Sequence, residues 1–125
     1  MLNIEKGKIN RPQKVVIYGA EGIGKSTLAA RFPAPLFIDT EGGTSHMDVD
    51  RINCSESWEE LLEIVKEVAE TKPAVCKTLV VDTADWAETL CERFVCDKYR
   101  KANVEDFGFG KGYVYLADEF AKLLS

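Results

Sequence analysis

Apolar residues along this chain occur in two spacings. Short continuous blocks predict strands, and stretches that recur every three or four positions predict helices. Lys14 to Tyr18 reads Lys-Val-Val-Ile-Tyr, β-branched and aromatic with a glycine directly after it, and predicts a buried parallel strand ending in a tight turn. Lys25 to Phe32 predicts a short helix that Pro33 and Pro35 terminate. Leu36 to Asp39 resumes a strand whose tip carries Thr40, Glu41 and a Gly42-Gly43 turn. Val49 to Cys54 is a weaker strand. Ser57 and Glu60 then match a capping box, in which the serine oxygen accepts the third helical N–H and the glutamate reaches back. The helix they open carries Trp58, Leu61, Leu62, Val65, Val68 and Ala69 at helical spacing, a face expected to pack on the sheet, and Pro73 lies beyond its end. Thr78 to Asp82 predicts another short buried strand. Asp85 to Tyr99 predicts a helix with Trp86, Leu90 and Phe94 on one side, and Val114 to Leu124 a further amphipathic helix.

Strands alternating with helices predict an α/β fold: a parallel sheet flanked by helices, with right-handed crossovers and ligands bound at the carboxyl ends of the strands. At 125 residues the chain is expected to form a single domain, residues 1 to 125, around one core. The last predicted helix has no later strand to pack against before Ser125, so the expectation is an N-terminal fragment that lacks the last core strands.

Composition narrows the class. With 46% hydrophobic and 30% charged residues and 4 prolines, the chain has the make-up of a folded globular protein. No apolar run is long enough for a membrane span and the N-terminus lacks a signal-peptide core, so no membrane partner and a cytoplasmic location are expected. A net charge of −5 argues against a surface that traps nucleic acid as a whole, and leaves room only for a local basic strip. The 4 cysteines form no CxxC pair and no metal-ligand spacing, which predicts reduced, mostly buried thiols. His46 is the only histidine, a loop residue, so the chain cannot build a histidine-based triad by itself.

The chemistry concentrates in one stretch. Gly19, Ala20, Glu21, Gly22, Ile23, Gly24, Lys25 and Ser26 fit the P-loop pattern GxxxxGK(S/T), set after a predicted strand and before a predicted helix. Glycines at 19, 22 and 24 permit backbone angles closed to other residues, so that successive N–H groups can converge on an anion. In that reading the loop amides hold the phosphates of ATP and Lys25 bridges the β- and γ-phosphates. Ser26 ligates magnesium, and Thr27 contacts the α-phosphate. The bland alternative is a glycine-rich turn that starts a helix. Asp82 closes an apolar strand as a Walker B aspartate does, and is the second candidate magnesium ligand; an aspartate there can also simply cap the next helix.

Hydrolysis needs a group that orients or deprotonates water. Thr83 occupies the place just after Asp82 where many P-loop ATPases carry a glutamate. Glu41, at the tip of the Leu36 to Asp39 strand, is the substitute; the alternative is a solvated turn glutamate. Asp39-Thr40-Glu41-Gly42 also fits the DxxG element of GTPases, but no NKxD sequence accompanies it, so ATP is favoured over GTP.

Other residues have weaker signals. Asp106 to Tyr113 alternates aromatics with glycine around Lys111, near Lys98, Arg100 and Lys101. That composition suits either a mobile loop that stacks bases or a plain connection between helices. Arg11 is either a base contact or a solvated terminal arginine.

On these residues the chain resembles the RecA-like branch of P-loop ATPases, and more closely phage-encoded AAA/RecA-type nucleotide-binding proteins. The likeness runs over nearly the whole chain. It is carried by Val15 to Gly19 with the P-loop, Pro35 to Gly43, Val80 to Trp86, and Phe107 to Tyr113. The resemblance implies that Glu41 is the catalytic glutamate, acting with Lys25, and that the protein serves phage DNA recombination or single-strand annealing. It further implies single-stranded DNA as a partner and ATP bound between subunits of a homo-oligomer. Two rival functions stay open: a small-molecule kinase, with Arg93 or Arg100 as its lid arginine, and a nucleotide-dependent switch without turnover.

Overall fold

The computed structural model describes residues 2–8, 14–71, 76–108 and 110–124; Arg11, Pro73, Phe109 and Ser125 lie outside them. Pro35–Asp39 forms β1, in which Leu36, Phe37, Ile38 and Asp39 are all buried. Side chains alternate across a strand, so Leu36 and Ile38 share one face and Phe37 takes the other. Burial of all three requires cover on both faces, which is why the run is continuously apolar. Asp50–Asn53 forms β2 and Thr78–Asp82 forms β3. Both lie parallel to β1 in the order β2-β1-β3, and the register sets Asp39 level with Asn53 on one side and with Asp82 on the other.

The described residues also form four α-helices. The first, α1, spans only Lys25–Ala29, shorter than the predicted Lys25 to Phe32. Arg31 and Phe32 instead donate to the carbonyls three residues back, at 3.0 and 3.2 Å. The cause is Pro33, whose ring disfavours helical angles at the residue before it. Trp58–Thr71 forms α2, opened by Ser57 Oγ accepting the Glu60 amide at 3.2 Å. It buries Trp58, Leu61 and Val68 but leaves Ala69 exposed, a narrower stripe than the spacing predicts. Ala84–Lys98 forms α3, capped by Thr83, whose hydroxyl accepts from the Trp86 amide. Lys111–Leu124 forms α4.

The main core joins Ile38 of β1 to Trp58 and Leu61 of α2, Leu90 of α3 and Leu116 of α4. A smaller cluster unites Leu36, Val68 and Cys76. Trp58 stacks on Phe120 at 5.7 Å, and its indole N–H donates to Glu119 at 2.9 Å. Burial alone would raise the Glu119 pKa. The bonds from Trp58 and Lys122 outweigh it and hold the carboxyl below its ordinary value. All four cysteines are free and buried, as expected; burial, with Glu119 and Glu88 nearby, pushes the Cys91 thiol up to about 12.

Two expectations need correction. Lys14 to Tyr18 is not a strand: Val15, Val16 and Tyr18 are 57, 82 and 90% exposed. A strand needs a neighbour for its N–H and C=O groups, and among the described residues none pairs with this run. The stretch from Asp106 to Tyr113 is not one loop either. Val104–Phe107 forms a 3-10 turn with a reciprocal Asn103–Asp106 cap, and α4 already starts at Lys111. Phe107, Tyr99 and Tyr115 contact one another with ring centroids 4.6 to 5.5 Å apart, which commits these aromatic faces to packing. Gly112 is required here because a Cβ on it would lie 2.0 Å from the Val104 carbonyl oxygen. Among the described residues, no helix is long and apolar enough to cross a membrane.

Candidate functional site

The Gly19 to Gly24 loop is exposed throughout. Gly22 and Gly24 take positive φ of 81° and 101°, angles that only glycine adopts without cost. Gly19 matters for space: a Cβ there would meet Ile23 Cγ2 at 3.2 Å. Within the loop the Ile23 amide donates to the Ala20 carbonyl at 3.3 Å, and Glu21 is solvent-facing. Lys25 is half-buried and its Nζ donates to the Gly19 carbonyl at 2.5 Å, so the ammonium lies across the loop it belongs to. Thr27, the third residue of α1, is exposed.

Ser26 and Asp82, 56 residues apart in sequence, meet: Ser26 Oγ donates to Asp82 Oδ2 at 2.5 Å. The start of α1 is thereby fixed to the carboxyl end of β3. Together the two residues offer one hydroxyl and one carboxylate. Magnesium takes oxygen ligands, keeps several waters, and typically uses one or two carboxylates together with substrate phosphates. The pair fits such an ion, and no group of three or more acidic, cysteine or histidine ligands occurs among the described residues. A cation held here would therefore arrive with its phosphates rather than sit in an all-protein cage.

Glu41 stands over the tip of β1, exposed, with Oε1 accepting from the Thr83 hydroxyl at 2.9 Å. Thr83 is reached a second way. The buried Thr40 hydroxyl accepts from the Thr83 amide at 2.7 Å and donates to the Thr83 carbonyl at 3.0 Å, while the Thr40 amide donates to the Asp82 carbonyl at 2.8 Å. The β1–β3 ladder thus continues one residue past both strand ends, and it brings Glu41, Thr83 and Asp82 to one edge. The peptide joining Asp82 to Thr83 is cis.

Behind Glu41 lies a network that sequence reasoning missed. Asp39, 2% exposed, accepts the amides of Glu41, Gly42 and Thr44 at 3.1, 2.6 and 3.0 Å, together with the Thr44 hydroxyl. Burial would raise the Asp39 pKa, but these four bonds prevail and lower it. Arg51 of β2 then donates to the Thr44 hydroxyl, the Thr44 carbonyl and the Met47 carbonyl. The signal available in the sequence is an acid as the last residue of a buried strand, Asp39. Thr83 shows in the sequence only as a residue standing where many P-loop ATPases carry a glutamate.

An open cleft of about 660 Å³ adjoins Glu41, lined by Thr40, Glu41, Ser55, Glu56, Trp86 and Arg93. The Arg93 guanidinium lies 5.0 Å from the centre of the Trp86 ring, and the Trp86 indole donates to the Ser55 carbonyl at 2.8 Å. The structure does not join Lys111 or Arg100 to this edge: no hydrogen bond or ring contact links either of them to the P-loop, Glu41 or Asp82 among the described residues.

Comparison with known proteins agrees with the fold class. The chain is 26% identical over 106 residues to the SPbeta prophage-derived uncharacterized protein YorG of Bacillus subtilis (strain 168), an alignment covering 79% of this chain and 33% of that protein. The chain thus spans about a third of the length of this relative. No solved structure matches it. A protein-family model described as AAA domain matches residues 11–125. The chain therefore belongs to the AAA domain family of P-loop nucleotide-binding proteins.

Proposed function

We propose that residues 1 to 125 form a single RecA-type domain that binds Mg-ATP and, in the complete protein, hydrolyses it. The observation that carries this reading is the Ser26–Asp82 hydrogen bond, which brings a P-loop hydroxyl and a strand-end carboxylate to within 2.5 Å. The amides of residues 19 to 25 and the Lys25 ammonium hold the phosphates, with Thr27 at the α-phosphate. Ser26 and Asp82 hold magnesium, which when bound neutralises charge on the β- and γ-phosphates. Glu41 orients the attacking water and accepts its proton, and Thr83 holds one of its carboxylate oxygens in place.

Prophage kinship of the relative and the likeness to RecA-type proteins support a role in phage DNA recombination or single-strand annealing, in the cytoplasm of the host. Single-stranded DNA is then the partner and the complete protein a homo-oligomer. The test is ATP turnover by the complete protein with and without single-stranded DNA, with Glu41→Gln alongside. Stimulation by DNA that falls about 10²-fold in the variant is expected. Absent or unstimulated turnover removes the DNA role.

A second reading, a small-molecule kinase, draws on the cleft beside Glu41 and on Arg93 in its lining. It predicts phosphate transfer to a nucleoside or metabolite that DNA does not stimulate.

A further inference from the structure

The loop that carries Glu41 holds no regular element, yet it is tied at three points. Asp39 sits at the end of β1 with both carboxylate oxygens turned into the loop that follows. Oδ1 takes the Glu41 and Gly42 amides, and Oδ2 takes the Thr44 amide and hydroxyl. A threonine hydroxyl can donate one hydrogen bond and accept two. Thr44 donates to Asp39 and accepts from Arg51 Nε at 3.1 Å, so the bond directions form one chain from guanidinium through hydroxyl to carboxylate. Thr44 is fully buried, and Arg51 also ties down the Thr44 and Met47 carbonyls at 2.9 and 2.5 Å. Arg51 belongs to β2 and Asp39 to β1, so the loop is pinned to two neighbouring strands. The proposed chemistry uses none of these three side chains. Their bonds reach it through the Glu41 amide, which Asp39 accepts at 3.1 Å.

We propose that Asp39, Thr44 and Arg51 are positioning residues that fix Glu41 for its work on water. The inference rests on the catalytic reading of Glu41. These residues act through the loop backbone and touch neither nucleotide nor metal. A buried hydrogen-bonded chain of this kind is worth more intact than in parts, because any member left alone keeps a desolvated polar group without its partner.

The test uses the complete protein and the variants Thr44→Val, Thr44→Ser, Glu41→Gln and the double Glu41→Gln/Thr44→Val. Thr44→Val should lower kcat about tenfold or more with the ATP dissociation constant unchanged, and Thr44→Ser should restore it. In the Glu41→Gln background Thr44→Val should cause no further loss, because both changes act through one group. A purely structural role would instead give a second, independent drop or weaken ATP binding, and would overturn the proposal. Amide hydrogen exchange in nucleotide-free protein judges the clamp separately from catalysis. Exchange at Glu41, Gly42 and Thr44 should rise about tenfold in Thr44→Val, and unchanged exchange overturns the clamp. If Glu41→Gln turns over normally, the catalytic reading falls while the exchange result still decides whether the clamp exists.

Discussion

The Thr83 hydroxyl donates to Glu41 Oε1 at 2.9 Å and so joins the residue after Asp82 to the tip of the neighbouring strand. On the proposed reading of Glu41 as the water-activating carboxylate, this bond makes Thr83 the residue that orients it. Thr83→Ala should lower turnover by up to about tenfold, because the bond is exposed and contributes at the low end for a charged acceptor. It should also cost about 1 kcal/mol of stability through loss of the α3 cap. Thr83→Ser keeps both bonds and should leave both readouts near normal. Steady-state kinetics with thermal unfolding on the same preparations would check this.

The Lys25 ammonium is held on the P-loop by its bond to the Gly19 carbonyl. Lys25→Ala should weaken ATP binding more than tenfold in calorimetry, a loss of over about 1.4 kcal/mol. Retained affinity would falsify the role of the motif.

Glu119 gives the fold a dependence on acid. Its folded pKa lies below the ordinary value of 4.5, so its contribution is present above that value and is lost as the pH falls through the folded one. Denaturant midpoints measured downward from pH 7 should therefore drop below about pH 4.5. Glu119→Gln should flatten that drop and cost about 1.5–3 kcal/mol at neutral pH, through weakened bonds to Trp58 and Lys122.

The thiols should be silent until the protein unfolds. With Cys91 pushed up to about 12 and all four cysteines buried, an alkylating reagent at pH 8 should label native protein slowly and all 4 sites rapidly in denaturant.

Gly112→Ala should destabilise the α4 junction by about 1–3 kcal/mol or more, because the new methyl would overlap the Val104 carbonyl. Chemical unfolding against the parent protein measures it; an effect below 0.5 kcal/mol would contradict the packing described.

Much of this was legible from residue type. β1, β3 and α2 follow from apolar spacing and from Ser57, since continuous runs and amphipathic stripes report directly on burial. The loop glycines, Lys25 and Ser26 are legible as candidates from the spacing of the P-loop pattern, and Asp82 from its place at the end of an apolar run. Lys14 to Tyr18 misled, since a β-branched run reports a preference for pairing and says nothing of whether a partner is at hand. Asp39, Thr44 and Arg51 were hidden for a different reason. Their meaning lies in bonds between a strand end, a loop and a second strand, and three scattered polar residues leave no periodic trace.

The parallel register between β1 and β3 has a consequence of its own. Asp39 and Asp82 stand level, and side chains alternate faces at every step. Deleting a single residue within Thr78 to Val81 would either pull Asp82 back from Ser26 by one strand rise or turn it to the far side of the sheet. The Ser26–Asp82 contact would be lost with both of its residues intact, so the spacing of the hydrophobic strand is itself part of the proposed site.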